Sequence, residues 1–200
     1  VTVFLAGDIA TSVIYEYDGD YMDYSMTLKG KKQTASEGDQ IQSFTQYDGT
    51  RDQKLLYTYN FKGEVALQAT VTLFSADDVA TSVIYEYDGD YMDYSMTLKG
   101  MKEAASEGDQ IQSFTKYDGT RDQKLRYTYN FKGEVVLGSV VTEFNSSDIA
   151  TSVIYSYDGD YMDYSMTLKG MEDKAAEGDY IQSYTKYDGT RDQKLEYTYN

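Results

Sequence analysis

Short stretches of this chain alternate between apolar and polar residues, a pattern typical of β-strands with one buried face. Residues 21–29 show it most clearly, with Met22, Tyr24, Met26 and Leu28 on one face and mostly polar residues on the other. Further runs rich in β-branched and aromatic residues predict four more strands in the same part of the chain, at residues 11–17, 40–47, 54–62 and 64–75. Parity slips within the last run, which predicts a β-bulge there.

Glycine-containing turns separate these runs. Asp18-Gly19 and Asp48-Gly49 each lie between two alternating stretches, and Asp-Gly predicts a tight hairpin whose two central residues both have positive φ. Lys62-Gly63 predicts a further turn between the fourth and fifth strands. Residues 30–39 are expected to form a loop.

The whole pattern repeats with a period of 70 residues, because Val1-Thr2, Val71-Thr72 and Val141-Thr142 begin equivalent segments. The first two copies differ at 13 of 70 positions, and the second and third at 13 of the 60 they share. We expect an all-β fold of three tandem antiparallel units, about five strands each, joined in series as small sheets or barrels. The expected units are residues 1–70, 71–140 and 141–200, the last truncated at its C-terminal end as in a piece excised from a longer chain.

Differences between the copies indicate which positions face solvent. In the first ten residues they fall mainly at 3, 5, 7 and 9, an alternation that predicts a strand with one exposed face. Position 56 changes from Leu56 to Arg126 and Glu196, and we expect it to point outward. Positions 40, 44 and 46 also vary and are predicted to lie opposite Ile41.

Composition excludes several functional classes. The chain has no cysteine for disulfides or thiolate metal sites, and no histidine for general-base catalysis. Its net charge of −16 opposes binding to nucleic acids, and no apolar stretch is long enough to insert into a membrane. We therefore expect a non-enzymatic protein of the cell surface or extracellular space.

One acidic segment, unchanged in all copies, is a candidate calcium site. It runs Tyr17-Asp18-Gly19-Asp20-Tyr21-Met22-Asp23 in the first copy, and carboxylates around a glycine turn suit a hard cation. The alternative is a hairpin turn flanked by solvated strand ends. The candidate metal ligands are Asp18, Asp20, Asp23, Asp88, Asp90, Asp93, Asp158, Asp160 and Asp163.

The last five residues of this segment, Gly19-Asp20-Tyr21-Met22-Asp23, resemble the Gly-x-aromatic-aliphatic-Asp sugar-binding motif of jacalin-related lectins. The likeness covers five residues per copy, and the glycine-rich loop of that family is absent. It implies a carbohydrate ligand held by the terminal aspartate, with the tyrosine beside the sugar. The residues concerned are Tyr21, Asp23, Tyr91, Asp93, Tyr161 and Asp163.

A second unchanged loop, residues 47–54, has two interpretations. It is either a hairpin tip of mixed charge, in which Arg51 pairs with Asp48 or Asp52, or a surface that docks on the next copy or on another chain.

Two functions are consistent with these features. A 70-residue unit without disulfides is marginally stable alone, so each copy is expected to depend on its neighbours. The first function is a self-assembling structural protein of an extracellular fibre, stalk or surface matrix, whose partners are copies of itself. The second is a multivalent carbohydrate-binding module; calcium is a candidate ligand in either case.

Overall fold

The computed structural model describes residues 9–200, which form an all-β structure as expected. Its strands belong to one open antiparallel sheet in which they follow chain order from β1 to β12. The strands are β1 Thr11–Asp18, β2 Tyr21–Lys29, β3 Gln40–Tyr47, β4 Leu55–Ala66, β5 Val79–Asp88, β6 Tyr91–Lys99, β7 Gln110–Tyr117, β8 Leu125–Val136, β9 Ile149–Asp158, β10 Tyr161–Lys169, β11 Ile181–Tyr187 and β12 Leu195–Tyr199. Their order is that of an open sheet and not of small barrels.

Among residues 9–200, each of the three periods contains four strands, so the prediction of about five was wrong. The expected fourth and fifth strands are joined, because β4 continues through Gly63 to Ala66. Residues 67–75 contain no strand, and a short 3₁₀ helix, Ala76–Asp78, precedes β5. Residues 30–39 form a loop, as predicted. The division into three units of 70 residues remains a prediction.

A large bulge in β4 replaces the turn predicted at Lys62-Gly63. Ile41 pairs with Val65 and Ser43 with Asn60, so residues 61–64 of β4 lie opposite the single residue Gln42 of β3. Gly63 has a φ of 55°, a left-handed conformation that most other residues adopt only at a cost. Residues 61–64 therefore remain part of β4, and no turn divides this strand.

A second bulge explains why position 44 was misassigned. Leu28 pairs with Ile41 and Thr27 with Ser43, which leaves Gln42 without a partner on β2. Ile41 and Phe44 consequently lie on the same face, and both are buried. Position 44 was predicted to face away from Ile41 and is instead a core position that accepts Phe or Tyr.

Exposure at the other variable positions is mixed. Leu56 is 41% exposed, which confirms that position 56 points outward. Positions 3, 5 and 7 of the first copy lie outside the described residues. Leu73 is exposed, but in a loop and not in the predicted strand, and Val79, equivalent to position 9, is fully buried because it begins β5.

The chain divides into two compact units. The first comprises the chain up to Ile84 together with Leu98–Ala104. One sheet face and the segment after β4 enclose its core, with Phe74 packed against the rings of Phe44 and Phe61 at centroid distances of 5.0 and 4.9 Å. The buried residues of this core cluster are Ile14, Met26, Leu28, Ile41, Phe44, Tyr59, Phe61, Leu67 and Val79.

The second unit comprises Tyr85–Thr97 and Ala105–Asn200 and has the same kind of core. Its Phe144 follows β8 and packs against Phe114 and Phe131 at 5.1 and 4.9 Å. Buried residues of this unit include Met92, Met96, Ile111, Phe114, Tyr129, Leu137, Ile149, Ile154 and Leu168. No helix within residues 9–200 has the length and apolar character needed to span a membrane.

Candidate functional site

The acidic segment forms the β1–β2 hairpin. Asp18 pairs with Tyr21, so Gly19 and Asp20 are the two central turn residues. Only Gly19 of these two has a positive φ, 62°, as a type II′ turn requires at its first central position. The prediction centred the turn on Asp18-Gly19 and gave both residues a positive φ. In the structure the turn lies one residue later, at Gly19-Asp20, and only Gly19 has a positive φ. Asp18, Asp20 and Tyr21 are all exposed at this tip.

Asp23 lies apart from the tip, in a bulge of β2. Glu16 pairs with Tyr24 and Tyr17 with Met22, which leaves Asp23 without a partner on β1. Its side chain contacts β3 instead, where the Gln46 Nε2 group donates to Asp23 Oδ1 at 2.9 Å. The Asp23 side chain therefore forms a contact between β2 and β3.

The equivalent aspartates of the other copies make ion pairs. Asp93 pairs with Lys116, and Asp163 pairs with Lys186. The hydrogen bond to Asp163 raises the pKa of Lys186 above its usual value. Position 46 varies between Gln and Lys, but in each copy its side chain donates a hydrogen bond to the equivalent aspartate.

The predicted calcium ligands do not form a metal-ligand cluster in the structure. Among residues 9–200, no group of three or more Asp, Glu, His or Cys side chains is placed to hold a metal ion. Each hairpin separates its acids into an exposed pair at the tip and a third one bonded to the neighbouring strand. Calcium binding stays a prediction.

Asp93 lies at an aromatic pocket of the second unit. The pocket has a volume of about 240 Å³ and is lined by Asp93, Tyr94, Phe114, Lys116, Tyr127, Tyr129, Thr142, Phe144 and Met171. The rings of Tyr127 and Tyr129 lie 4.7 Å apart, and burial raises the pKa of Tyr129. A carboxylate–ammonium pair therefore borders a wall of aromatic rings.

Sequence reasoning identified only Asp93 of this pocket. Tyr91, the predicted aromatic partner of a sugar, is not among its lining residues and is 37% exposed. Phe114 and Lys116 were missed because positions 44 and 46 were assigned to an outward face. The exchange of Gln46 for Lys116 and Lys186 was the available signal, because both side chains can donate to an acid on the adjacent strand.

The second unchanged loop, residues 47–54, begins with the last residue of β3 and is organised by Asp48. Its carboxylate accepts hydrogen bonds from the Thr50 amide at 3.0 Å, the Thr50 hydroxyl at 2.7 Å and the Lys54 amide at 3.1 Å. Partial burial raises the pKa of Asp48, but these hydrogen bonds outweigh that effect and hold it below its usual value. The loop is longer than the tight hairpin predicted, and Asp48 acts as its internal cap.

In the second unit this loop contacts the following hairpin. Lys124 Nζ donates to the Gly159 carbonyl at 2.8 Å and lies 3.4 Å from Asp160 Oδ1. The Leu125 amide donates to the Tyr157 hydroxyl at 3.2 Å. In the second unit the loop therefore contacts the hairpin of the next period, and its role as a docking surface stays a prediction.

The two ends of the sheet expose apolar side chains. Val13, Tyr15 and Tyr17 on β1 are 46%, 52% and 57% exposed. On β12, Leu195 and Tyr199 are 61% and 67% exposed. The equivalent Tyr129, which lies inside the sheet, is only 4% exposed.

Comparison with protein-family models, with curated proteins and with solved structures finds no match for this chain.

Proposed function

We propose that this protein is a non-enzymatic, self-assembling structural protein, built from three tandem units and acting in an extracellular fibre, stalk or surface matrix. The observation that carries the proposal is the open sheet, whose two end strands expose large apolar side chains. Its partners are other copies of the same chain. Nucleic acids and membrane insertion have no part in this function.

The end strands lack two of the features that commonly protect a sheet edge from pairing, lysine and proline. Natural sheets block their edges with lysine, proline or inward-facing charges. Neither β1 nor β12 contains lysine or proline; the charged residues are Glu16 and Asp18 on β1 and Glu196 on β12. Strand addition at such edges satisfies main-chain groups and buries apolar surface, and it supports assembly between chains.

The repeated loops support the same function. Lys124 and Leu125 attach one period to the next by contacts that use residues unchanged in every copy. A chain whose periods associate in this way has the surfaces needed to associate with further copies.

Electron microscopy of the negatively stained protein tests this proposal. We expect filaments or sheets to form as protein concentration rises. Short, isolated particles at every concentration would contradict it.

The alternative function is multivalent carbohydrate binding, which the aromatic pocket beside Asp93 favours. Sugars bind at stacked aromatic rings with a few polar groups that fix their orientation. Asp93 and Lys116 border such rings, and weak sites on several copies would combine through avidity.

A glycan array tests the alternative. The informative variant replaces Asp23, Asp93 and Asp163 with Asn, and its matched control replaces Asp18, Asp88 and Asp158 with Asn. Loss of a glycan signal in the first variant alone would support a sugar site. No bound glycan, or equal binding by both variants, would exclude this function.

A further inference from the structure

The segment between β8 and β9 contains a motif that the proposed assembly does not use. In Asn145-Ser146-Ser147 an asparagine is followed two residues later by serine, which is the acceptor sequence for N-linked glycosylation. Asn60 and Asn130 are each followed by Phe-Lys and lack the hydroxyl residue that such a sequence requires. The 200-residue sequence therefore contains this motif once.

Both residues that a glycosyl-transferring enzyme has to recognise are exposed. Asn145 and Ser147 lie at the surface, between the end of β8 at Val136 and the start of β9 at Ile149. Asn145 has φ and ψ of −81° and 136° and precedes a 3₁₀ helix, Ser146–Asp148. Neither Asn145 nor Ser147 takes part in the pairing of β8 with β9. A glycan attached at Asn145 consequently needs no change in the sheet.

The equivalent loop of the second period shows what the motif replaces. There Ser75 caps the 3₁₀ helix, and its hydroxyl accepts a hydrogen bond from the Asp77 amide at 3.3 Å. Asn145 and Ser147 stand at these two positions one period later, and the Asn145 side chain makes no cap hydrogen bond. The main chain keeps its conformation, because φ and ψ of Ser75 are −84° and 138°. The two exchanges therefore create the motif, lose a cap that stabilises the loop, and leave the path of the chain unchanged.

The polar side-chain atoms of the motif meet at one carboxylate. Asn145 Nδ2 donates to Asp148 Oδ2 at 3.3 Å, and the Ser147 hydroxyl donates to Asp148 Oδ1 at 3.3 Å. Both distances are long for hydrogen bonds and both contacts are exposed, so water replaces Asp148 at little cost. The Asn145 amide is therefore available for reaction.

We propose that Asn145 is an N-glycosylation site. In the reaction, Asn145 Nδ2 forms a bond with C1 of the first sugar of a lipid-linked oligosaccharide, and the bond from C1 to the pyrophosphate oxygen breaks. The lipid pyrophosphate leaves and takes up the proton that the amide loses, so the step needs no oxidant or reductant. The Ser147 hydroxyl is recognised by the enzyme and is not consumed. The inference rests on the proposed extracellular location, because this motif is modified in secreted chains.

The site lies far from the contact that joins the second period to the third. β9 begins at Ile149, directly after the 3₁₀ helix, and its 10 residues lead to Asp158 at the β9–β10 hairpin. A strand rises about 3.3 Å per residue, so β9 spans about 30 Å. A glycan on Asn145 is thus at the opposite end of β9 from the contact of Lys124 with Gly159. We expect that contact to stay intact.

Production in a eukaryotic secretory host tests the site. The full chain follows a cleavable signal peptide, and intact masses are measured before and after peptide N-glycosidase treatment, in the cell extract and in the medium. We expect one glycan per chain, which the glycosidase removes while it converts Asn145 to Asp. Asn145→Gln and Ser147→Ala should each abolish the added mass. Ser147→Thr should keep it, because threonine also supplies the hydroxyl.

The equivalent loop of the second period provides a matched control. Ser75→Asn combined with Asp77→Ser creates an acceptor motif on the same main-chain conformation, and the inference predicts a second glycan on this variant. An unglycosylated wild-type chain would overturn the inference, whether or not the control variant acquires a glycan. A glycan that persists after Asn145→Gln would also overturn it.

Electron microscopy of the chain made in a host without N-glycosylation separates this result from self-assembly. Filaments of that chain, together with no glycan on the secreted chain, would overturn the glycosylation site and leave self-assembly standing. A glycan on Asn145 in a chain that forms only isolated particles would support the site and contradict self-assembly.

Discussion

At the scale of single residues, Asp48 illustrates how one carboxylate organises a loop. Three hydrogen bonds from Thr50 and Lys54 converge on it, and the Asp48 amide donates to the Lys54 carbonyl at 2.9 Å. Asp118 and Asp188 make the same contacts in the other copies. The sequence marked this loop as unchanged, but the role of Asp48 depends on a chain path that residue pattern alone does not reveal.

Replacing Asp48 with Ala is expected to lower the free energy of unfolding by about 1–2 kcal/mol, because two main-chain donors lose their acceptor. Urea denaturation measures the effect. Asp52→Ala in the same loop is the control and is expected to change stability by less than about 0.5 kcal/mol. Equal effects of the two substitutions would show that the hydrogen bonds do not stabilise the loop.

The same pair of proteins gives a prediction for pH. The folded-state pKa of Asp48 lies below its unfolded value, so its stabilisation is present above the unfolded pKa of about 3.9 and is lost as pH falls through the folded pKa. The stability difference between wild type and Asp48→Ala should therefore narrow on acidification from about pH 5 to about pH 3. A difference that widened with acid would contradict this assignment.

At the scale of secondary-structure elements, the sequence pattern predicted the ranges of several strands correctly but assigned the wrong faces where a bulge interrupts the pairing. Strands β1, β2 and β3 lie close to the predicted ranges because their turns contain glycine and their apolar residues alternate. The assignment of faces failed where Gln42 and residues 61–64 interrupt the pairing. A bulge reverses the parity of all later residues, and alternation within one strand does not show which partner residue is skipped.

The bulge glycine of β8 allows a direct test. Gly133 has a φ of 56°, whereas Gly138 has no positive φ, and a Cβ added at either position meets no atom within 4 Å. Gly133→Ala should therefore destabilise the protein by about 1–2 kcal/mol through backbone strain alone. Gly138→Ala, the control, should be neutral or slightly stabilising in the same thermal melts. Equal melting temperatures for the two variants would exclude strain at the bulge.

Phe144, in the segment after β8, is expected to contribute to the stability of the core. Phe144→Ala should lower the free energy of unfolding by about 2 kcal/mol, because the half-buried ring covers Phe114, Tyr129 and Phe131. Glu143→Ala beside it removes an exposed side chain and should have little effect. If both variants unfolded like wild type, the aromatic cover would contribute nothing to stability.

At the scale of the whole molecule, the all-β class was predictable and the arrangement of strands was not. The alternation and the Asp-Gly turns indicate β-hairpins wherever they occur. A single sheet in chain order depends on pairings such as Asn60 with Thr81, which join one period to the next. The aromatic pocket also escaped prediction, because it needs Asp93, Phe114 and Phe144 from separate segments.

Calcium remains the candidate ligand of this acidic chain. If the hairpin acids bind it, millimolar Ca²⁺ should raise the melting temperature relative to chelator, because binding to the folded state stabilises that state. A variant with Asp20, Asp90 and Asp160 replaced by Asn should lose the response. A melting temperature that is the same with Ca²⁺ and with chelator would refute the calcium site.

Assembly through the sheet edges is tested most directly by sedimentation velocity over a range of protein concentrations. Wild type is compared with Tyr15→Lys on the edge strand and with Leu56→Lys inside the sheet, at positions that are 52% and 41% exposed. A charged edge side chain opposes strand addition. The account predicts association of wild type and Leu56→Lys and a monomeric Tyr15→Lys protein. Equal association of all three proteins, or monomers throughout, would contradict it.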